Sequence, residues 1–215
     1  MTITWYGQSC FKITNQGNHL TIITDPFDKK FIGLNPPRSA ADIVTVSHDH
    51  KDHNNVKAIS GDPFVINSSG EYEIKGVRII GCTSYHDKKE GQERGSNTIY
   101  LIKIDRIRVC HLGDFGQEKL TDKQLETIGP VDVLMIPVDG VYTISAREAV
   151  KITEQIEPTI IIPMHYKLPG LKVSLGDVKD FLKEMGLNKK TAVEKLTLKK
   201  KDLTSQETKV VIFKP

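Results

Sequence analysis

The sequence predicts an α/β protein in which two β-sheets pack against each other with helices outside. Three features carry that expectation. The first half of the chain is a succession of short β-branched runs divided by turn residues. The second half holds three segments that open like capped helices. Two apolar runs, each stopped by a proline, alternate with those helices.

Residues 3–6, 10–14 and 20–24 are β-rich runs, divided first by Gly7 and then by the turn Asn15-Gln16-Gly17-Asn18. Residues 31–39, with Gly33, Asn35, Pro36 and Pro37, read as a loop. The run 43–46 has the composition of a buried strand, and a short helix over 54–59 follows. Strands are expected at 64–66, 71–74 and 77–81, with Lys75-Gly76 turning between the last two, and a tight hairpin joins 98–104 to 106–110 at Asp105. The helix over 121–128 opens with Thr121-x-x-Gln124 and that over 145–156 with Ser145-x-x-Glu148, both capping-box patterns. A third helix, 174–185, opens with Ser174-x-x-Asp177 and ends at Gly186. Between the helices lie strands 133–136 and 159–162, stopped by Pro137 and Pro163, and strand-like runs 196–198 and 209–213 close the chain.

With 215 residues, no fixed repeat and no low-complexity linker, residues 1–215 read as one domain. A net charge of +3 gives no basic footprint of the kind nucleic acid requires, so a small-molecule substrate is expected instead. Three cysteines without a C-x-x-C pair give no disulfide framework, which points to a reducing, cytoplasmic setting. No apolar stretch approaches the length of a membrane span. A homo-oligomer is compatible with all of this.

The chemistry concentrates after residues 43–46, where His48, Asp49, His50, Asp52 and His53 follow one another within six residues. A loop leaving the end of a rigid strand is where α/β proteins carry their chemistry. Imidazoles and carboxylates are the side chains that bind zinc and related cations in open sites. The alternative is a merely solvated histidine-rich loop, but the rest of the chain repeats the pattern. His86, His111 and His165 each sit at or just past the end of an expected strand, and strands of one sandwich can bring such ends to a common edge. His19, in the first hairpin, reads as surface.

In these motifs the chain resembles the metallo-β-lactamase fold superfamily. The match runs through Asp25 in Thr-Asp-Pro, His48-x-His50-x-Asp52-His53, His86, Asp114 in Leu-Gly-Asp, and His165 in Pro-Met-His-Tyr. Gly7-x-Ser9-Cys10-Phe11, His111-Leu-Gly-Asp114 and Pro137-Val-x-Gly-x-Tyr142-Thr143 resemble the short branch that includes L-ascorbate-6-phosphate lactonase and many metal-dependent hydrolases. Gln8 stands where that branch commonly has histidine, and Asp139 replaces the first residue of a Gly-Gly pair. The resemblance implies a four-layer αββα sandwich with a two-metal site at one edge. It implies that His48, His50 and His86 hold the first metal, that Asp52, His53 and His165 hold the second, and that Asp114 bridges them. Asp25 is then a carboxylate orienting a ligand histidine.

Two cations sharing a carboxylate can activate a water between them, so the expected activity is a metal-dependent hydrolase cleaving an ester, lactone or phosphodiester bond. Asp52 is the candidate proton shuttle, provided its second carboxylate oxygen faces that water. The ligand set suits zinc first and manganese next. His111 has two open readings, one pointing into the site and one bonding beneath the hairpin. Asn97, Tyr142, Thr143 and Tyr166 are candidates to line the substrate cleft. Two further functions compete with the hydrolase: a non-catalytic metal-binding or ligand-sensing module, and a metal-dependent nuclease. A purely structural site would close with four ligands and need no bridging carboxylate, and the modest charge disfavours the nuclease.

Overall fold

The computed structural model describes residues 1–188, 191–204 and 207–215. Thirteen strands run along the described chain: β1 Thr2–Gly7, β2 Cys10–Thr14, β3 Thr21–Thr24, β4 Ile43–Thr45, β5 Phe64–Ile66, β6 Gly70–Ile74, β7 Val77–Tyr85, β8 Ser96–Ile104, β9 Ile107–His111, β10 Val133–Pro137, β11 Ile160–Met164, β12 Leu196–Thr197 and β13 Lys209–Val210. They form one sheet in the order β12-β1-β2-β3-β4-β5 and a second in the order β13-β11-β10-β9-β8-β7-β6. In both sheets antiparallel hairpins give way to parallel strands. β3, β4 and β5 are parallel in the first sheet, and β9, β10, β11 and β13 in the second. The parallel strands β4, β10 and β11 are buried along their whole length, which explains why they read as continuous apolar runs rather than alternations.

The two sheets share a core in which Trp5, Phe11, Ile13 and Ile22 of the first meet Ile79, Ile99, Val109 and Met135 of the second. Helices α2 Asp122–Ile128, α3 Ala146–Ile156 and α4 Val178–Glu184 follow in the second half of the chain, with α2 against β7 and α3 against β10 and α4. In α3 the buried residues Ala149, Ile152, Thr153 and Ile156 recur at helical spacing. Thr121 and Ser145 form the capping boxes that the sequence announces, each worth about 1 kcal/mol to its helix. The far face of the first sheet is covered by a thinner layer: the short helix α1 Lys29–Ile32, a 3₁₀ turn at Val56–Ala58 and coil, with Phe27, Ile32 and Ile59 packed on Ile23 and Val44.

Several boundaries differ from the sequence expectation for tertiary reasons. The helix expected over 174–185 begins at Val178 with Asp177 as its cap. Gly176 instead lies so close to Asp139 that a Cβ there would overlap the Asp139 carbonyl, and its own carbonyl accepts from Lys167 N at 2.9 Å. The loop expected over 31–39 contains the end of α1, and the helix expected over 54–59 contracts to the 3₁₀ turn. The strand expected over 77–81 extends to Tyr85, so β7 delivers His86 directly. The run 209–213 leaves the sheet after Val210.

Candidate metal centre

Every candidate ligand follows the C-terminal end of a strand. His48, His50, Asp52 and His53 follow β4, His86 follows β7, Asp114 follows β9 and His165 follows β11. At two of these turns a non-glycine residue adopts a left-handed backbone: His165 at φ 52° and, beyond β3, Asp25 at φ 40°. Such conformations persist only where the surroundings impose them.

The structure brings the seven expected ligands into two adjoining groups, His48 with His50 and His86, and Asp52 with His53, Asp114 and His165. Within each group the ligand atoms all lie within 4.8 Å of one another. Asp114 lies at their junction. Its Oδ2 is 3.1 Å from His53 Nε2, 3.3 Å from His86 Nε2, 3.3 Å from His165 Nε2 and 4.0 Å from His48 Nε2. Its Oδ1 accepts from Ser9 Oγ at 3.3 Å, and its backbone N donates to Asn97 Oδ1 at 3.0 Å.

The far nitrogens of three histidines are fixed from behind. Asp25 Oδ2 pairs with His53 Nδ1 at 3.0 Å and accepts from Ser47 Oγ at 2.7 Å, and that hydroxyl also contacts His48 Nδ1 at 2.9 Å. Asp139 Oδ2 holds His165 Nδ1 at 2.9 Å. With Nδ1 engaged, each Nε2 is aimed inward, the arrangement that orients metal-ligating histidines. The buried Nε2 of His48 makes no hydrogen bond. An orphaned buried nitrogen is costly unless something else meets it, so the donor set fits divalent cations.

His111 lies behind the site. Its Nε2 donates to the Ser9 carbonyl at 2.8 Å and its Nδ1 accepts from Gly113 N at 3.2 Å, so it braces two segments that flank Asp114. Of the four expected cleft residues, only Tyr142 reaches the cleft. Asn97 is fully buried, bonding Ser84 Oγ, the Leu112 carbonyl and Asp114 N. Thr143 turns to Asp139 Oδ2 at 2.6 Å, and Tyr166 is buried with its hydroxyl on the Phe213 carbonyl at 3.3 Å. Asn97 and Thr143 support the site, Tyr166 packs on Trp5, and none of the three lines the cleft.

Residues 2–165 match a family model described as a β-lactamase superfamily domain. A UPF0173 protein of Pyrococcus furiosus is 31% identical over 213 residues, spanning 86% of this chain and 90% of that one. The chain belongs to the UPF0173 metal-dependent hydrolase family of the metallo-β-lactamase superfamily. A Pyrococcus horikoshii protein of that family is 29% identical over 176 residues, 67% of this chain and 76% of its own. A crystal structure from Thermotoga maritima, described as a candidate Zn-dependent hydrolase of the superfamily, matches with a TM-score of 0.78 at 38% identity over 99% of this chain and 97% of that one.

In this UPF0173 protein the ligand groups open into a cleft of about 370 Å³ walled by Phe31, Lys51, Arg94, Tyr142 and Val173. Arg94 stacks its guanidinium 5.3 Å from the Tyr142 ring centroid and donates to the carbonyls of Val141 and Tyr142. The loop carrying it is folded around Asp87, whose carboxylate accepts from the backbone N of Lys89, Gly91, Glu93 and Arg94 at 2.7–3.0 Å. Sequence reasoning missed Arg94, Lys51 and Val173 because each sits in a loop without periodicity, and Phe31 because its helix α1 is a single short turn. Asp139 stood out only as a departure from a glycine pair. Its position just past β10, like every ligand past its own strand, was the available signal.

Burial alone would depress His53 and His165, but Asp114 with Asp52 raises the first well above the usual histidine range, and Asp114 with Asp139 pushes the second up to about 10. Burial and the neighbouring His53 charge push His48 down to about 3. At neutral pH the metal-free site therefore holds protons on His53 and His165 but not on His48. A cation must displace them, so its apparent affinity rises as pH increases towards 10. Zinc titrations in buffers of different ionisation enthalpy are expected to show net proton release on binding near neutral pH. Without metal, the raised His165 value stabilises the fold fully below the ordinary histidine pKa of about 6.5, and that contribution is lost as pH rises towards 10.

Proposed function

We propose that this protein hydrolyses an ester, lactone or phosphodiester bond in a small anionic substrate at a centre of two divalent metals, zinc first and manganese next. The observation that carries the reading is Asp114 Oδ2, placed within 3.1–4.0 Å of the Nε2 atoms of His48, His53, His86 and His165. One carboxylate shared by both donor groups is unnecessary for a closed structural site. Cations bound there would polarise the scissile group and lower the pKa of a water towards neutrality. The residues do the rest. His48, His50 and His86 form one side of the floor, and Asp52, His53 and His165 the other.

Asp52 lines the cleft and its side chain is 17% exposed, which supports a role for it in taking a proton from water or passing one to a leaving group. In the metal-free site, despite burial, the His53 charge and the hydrogen bond to His165 hold its carboxyl well below the usual range, so it is ionised there. Lys51 and Arg94 supply positive charge at the cleft, while Phe31, Tyr142 and Val173 give it apolar walls. That combination favours a small substrate with an anionic group and an apolar part.

The reading is tested by turnover of a panel of esters, lactones and phosphodiesters, with a His48→Ala variant as control. Activity on an anionic member that vanishes with His48→Ala supports it, whereas equal activity in the variant contradicts it. Within that assay, Arg94→Ala is expected to raise KM by about ten- to a hundredfold, the value of one charge-assisted hydrogen bond. Arg94→Lys recovers only part of the loss, because lysine keeps the charge but lacks the planar fork that grips the Val141 and Tyr142 carbonyls.

A further inference from the structure

We infer that Gln8 supplies its amide oxygen as an additional ligand to the second cation, making that site the oxygen-rich one and biasing it towards manganese. The inference rests on the dinuclear reading above. Gln8 occupies the tight connection between β1 and β2 and is fully buried. It is held at φ 48°, a left-handed conformation that a glutamine adopts only when fixed from outside. Its carbonyl is pinned twice, by Trp5 Nε1 at 2.9 Å and by the backbone N of His165 at 3.1 Å. The backbone therefore offers the side chain no freedom to withdraw.

The carboxamide points into the second ligand group. Its Nε2 lies 3.3 Å from Asp52 Oδ2 and 3.2 Å from His165 Nε2. Its Oε1 is buried and has no hydrogen-bond partner. The amide nitrogen thus donates to Asp52 and lies beside His165 Nε2, two ligand atoms of a cation site, while the amide's own acceptor is left unsatisfied. Leaving such an oxygen buried without a partner costs about 1–3 kcal/mol. Rotation about the last side-chain torsion, which is broad and roughly two-fold, exchanges the two ends of the amide. When a cation occupies the Asp52–His53–Asp114–His165 group, the same rotation turns Oε1 towards it. The rotation removes the orphaned oxygen and takes the amide hydrogens away from the cation.

The two sites then differ in kind. The first offers three imidazoles and the shared Asp114. The second offers two imidazoles and two carboxylates, to which the assigned rotation adds the Gln8 amide oxygen. Imidazole-rich sites suit zinc, while carboxylate and carbonyl oxygens suit harder cations such as manganese. The glutamine in this connection, where the related branch commonly carries histidine, would therefore set metal choice at one site only.

Competition titrations of zinc and manganese, with manganese followed by its EPR signal, would be run on wild type, Gln8→Asn and Gln8→Glu. Asparagine tolerates the left-handed backbone but is one methylene too short to reach, and glutamate keeps an oxygen in place. Gln8→Asn is expected to weaken manganese at one site by about ten- to a hundredfold, the usual cost of losing a supporting ligand group. Zinc at the other site is unchanged, and Gln8→Glu restores manganese. Unaltered manganese affinity in Gln8→Asn, or equal weakening of both metals at both sites, overturns the assignment while leaving the dinuclear reading intact. A wild-type protein that binds neither metal overturns both. Circular dichroism and Tm of each variant separate metal loss from unfolding. If Gln8→Asn does not fold, weakened manganese binding in folded Gln8→Glu overturns the assignment.

Discussion

Asp114→Asn is expected to lower turnover by about three decades or more and to remove at least one bound cation per chain. The carboxylate is nearly inaccessible, and its Oδ2 lies within 3.1–3.3 Å of three histidine Nε2 atoms. Asparagine preserves the shape and the backbone contact to Asn97 but removes the negative charge that lies against histidines of both ligand groups. Metal-ion stabilisation of a transition state is worth several kcal/mol, and each 1.36 kcal/mol is a factor of ten in rate. The same substitution destabilises the metal-free protein near neutral pH. His53 and His165, both raised towards their charged forms by Asp114, then lose their main counter-charge in a buried setting. Stripping one partner from a buried ion pair costs about 3–5 kcal/mol. Metal analysis, steady-state kinetics and denaturant unfolding at neutral pH, with and without chelator, check both parts.

Gly113→Ala is expected to destabilise the fold by about 3 kcal/mol and to disturb metal binding without touching any ligand. Gly113 sits at φ +57° between β9 and Asp114, where an L side chain is strained by about 1–2 kcal/mol. A Cβ there would also overlap Asn97 Oδ1 and approach Ser47 Cβ to 2.6 Å. Asn97 holds the Asp114 backbone, and Ser47 bridges Asp25 to His48. Overpacking of this kind adds about 1–3 kcal/mol and propagates to both ligand groups. Chemical denaturation of the apo form measures the stability change. Zinc titration distinguishes a displaced site from a merely weakened fold, because affinity falls even where the variant remains folded.

The parts legible in the sequence were those that break a local pattern. His48, His50, Asp52 and His53 interrupt an apolar run, and His86, Asp114 and His165 each follow strands whose apolar composition is plain. The capping boxes at Thr121 and Ser145 are local, and they appear as read. The start of α4 was not legible, because Ser174 and Asp177 offer overlapping caps and the contact between Gly176 and Asp139 selects the later one. Nor could β8 reveal that Asn97 faces inward to hold Asp114 rather than outward to substrate, since a polar residue on a strand marks a face without saying what lies on it. The walls of the cleft come from the short helix α1 and from loops near residues 94, 142 and 173, distant in sequence and joined only by the fold. Gln8 registered as a departure from a motif, and its buried, unpartnered amide oxygen carries the role inferred for it.

The most direct test of the dinuclear centre is elemental analysis of wild-type protein purified without a chelating tag and then supplied with zinc or manganese, beside His48→Ala. The two ligand groups predict about two divalent ions per wild-type chain and the loss of at least one in the variant. A folded wild-type protein that retains no stoichiometric metal under those conditions would contradict the account.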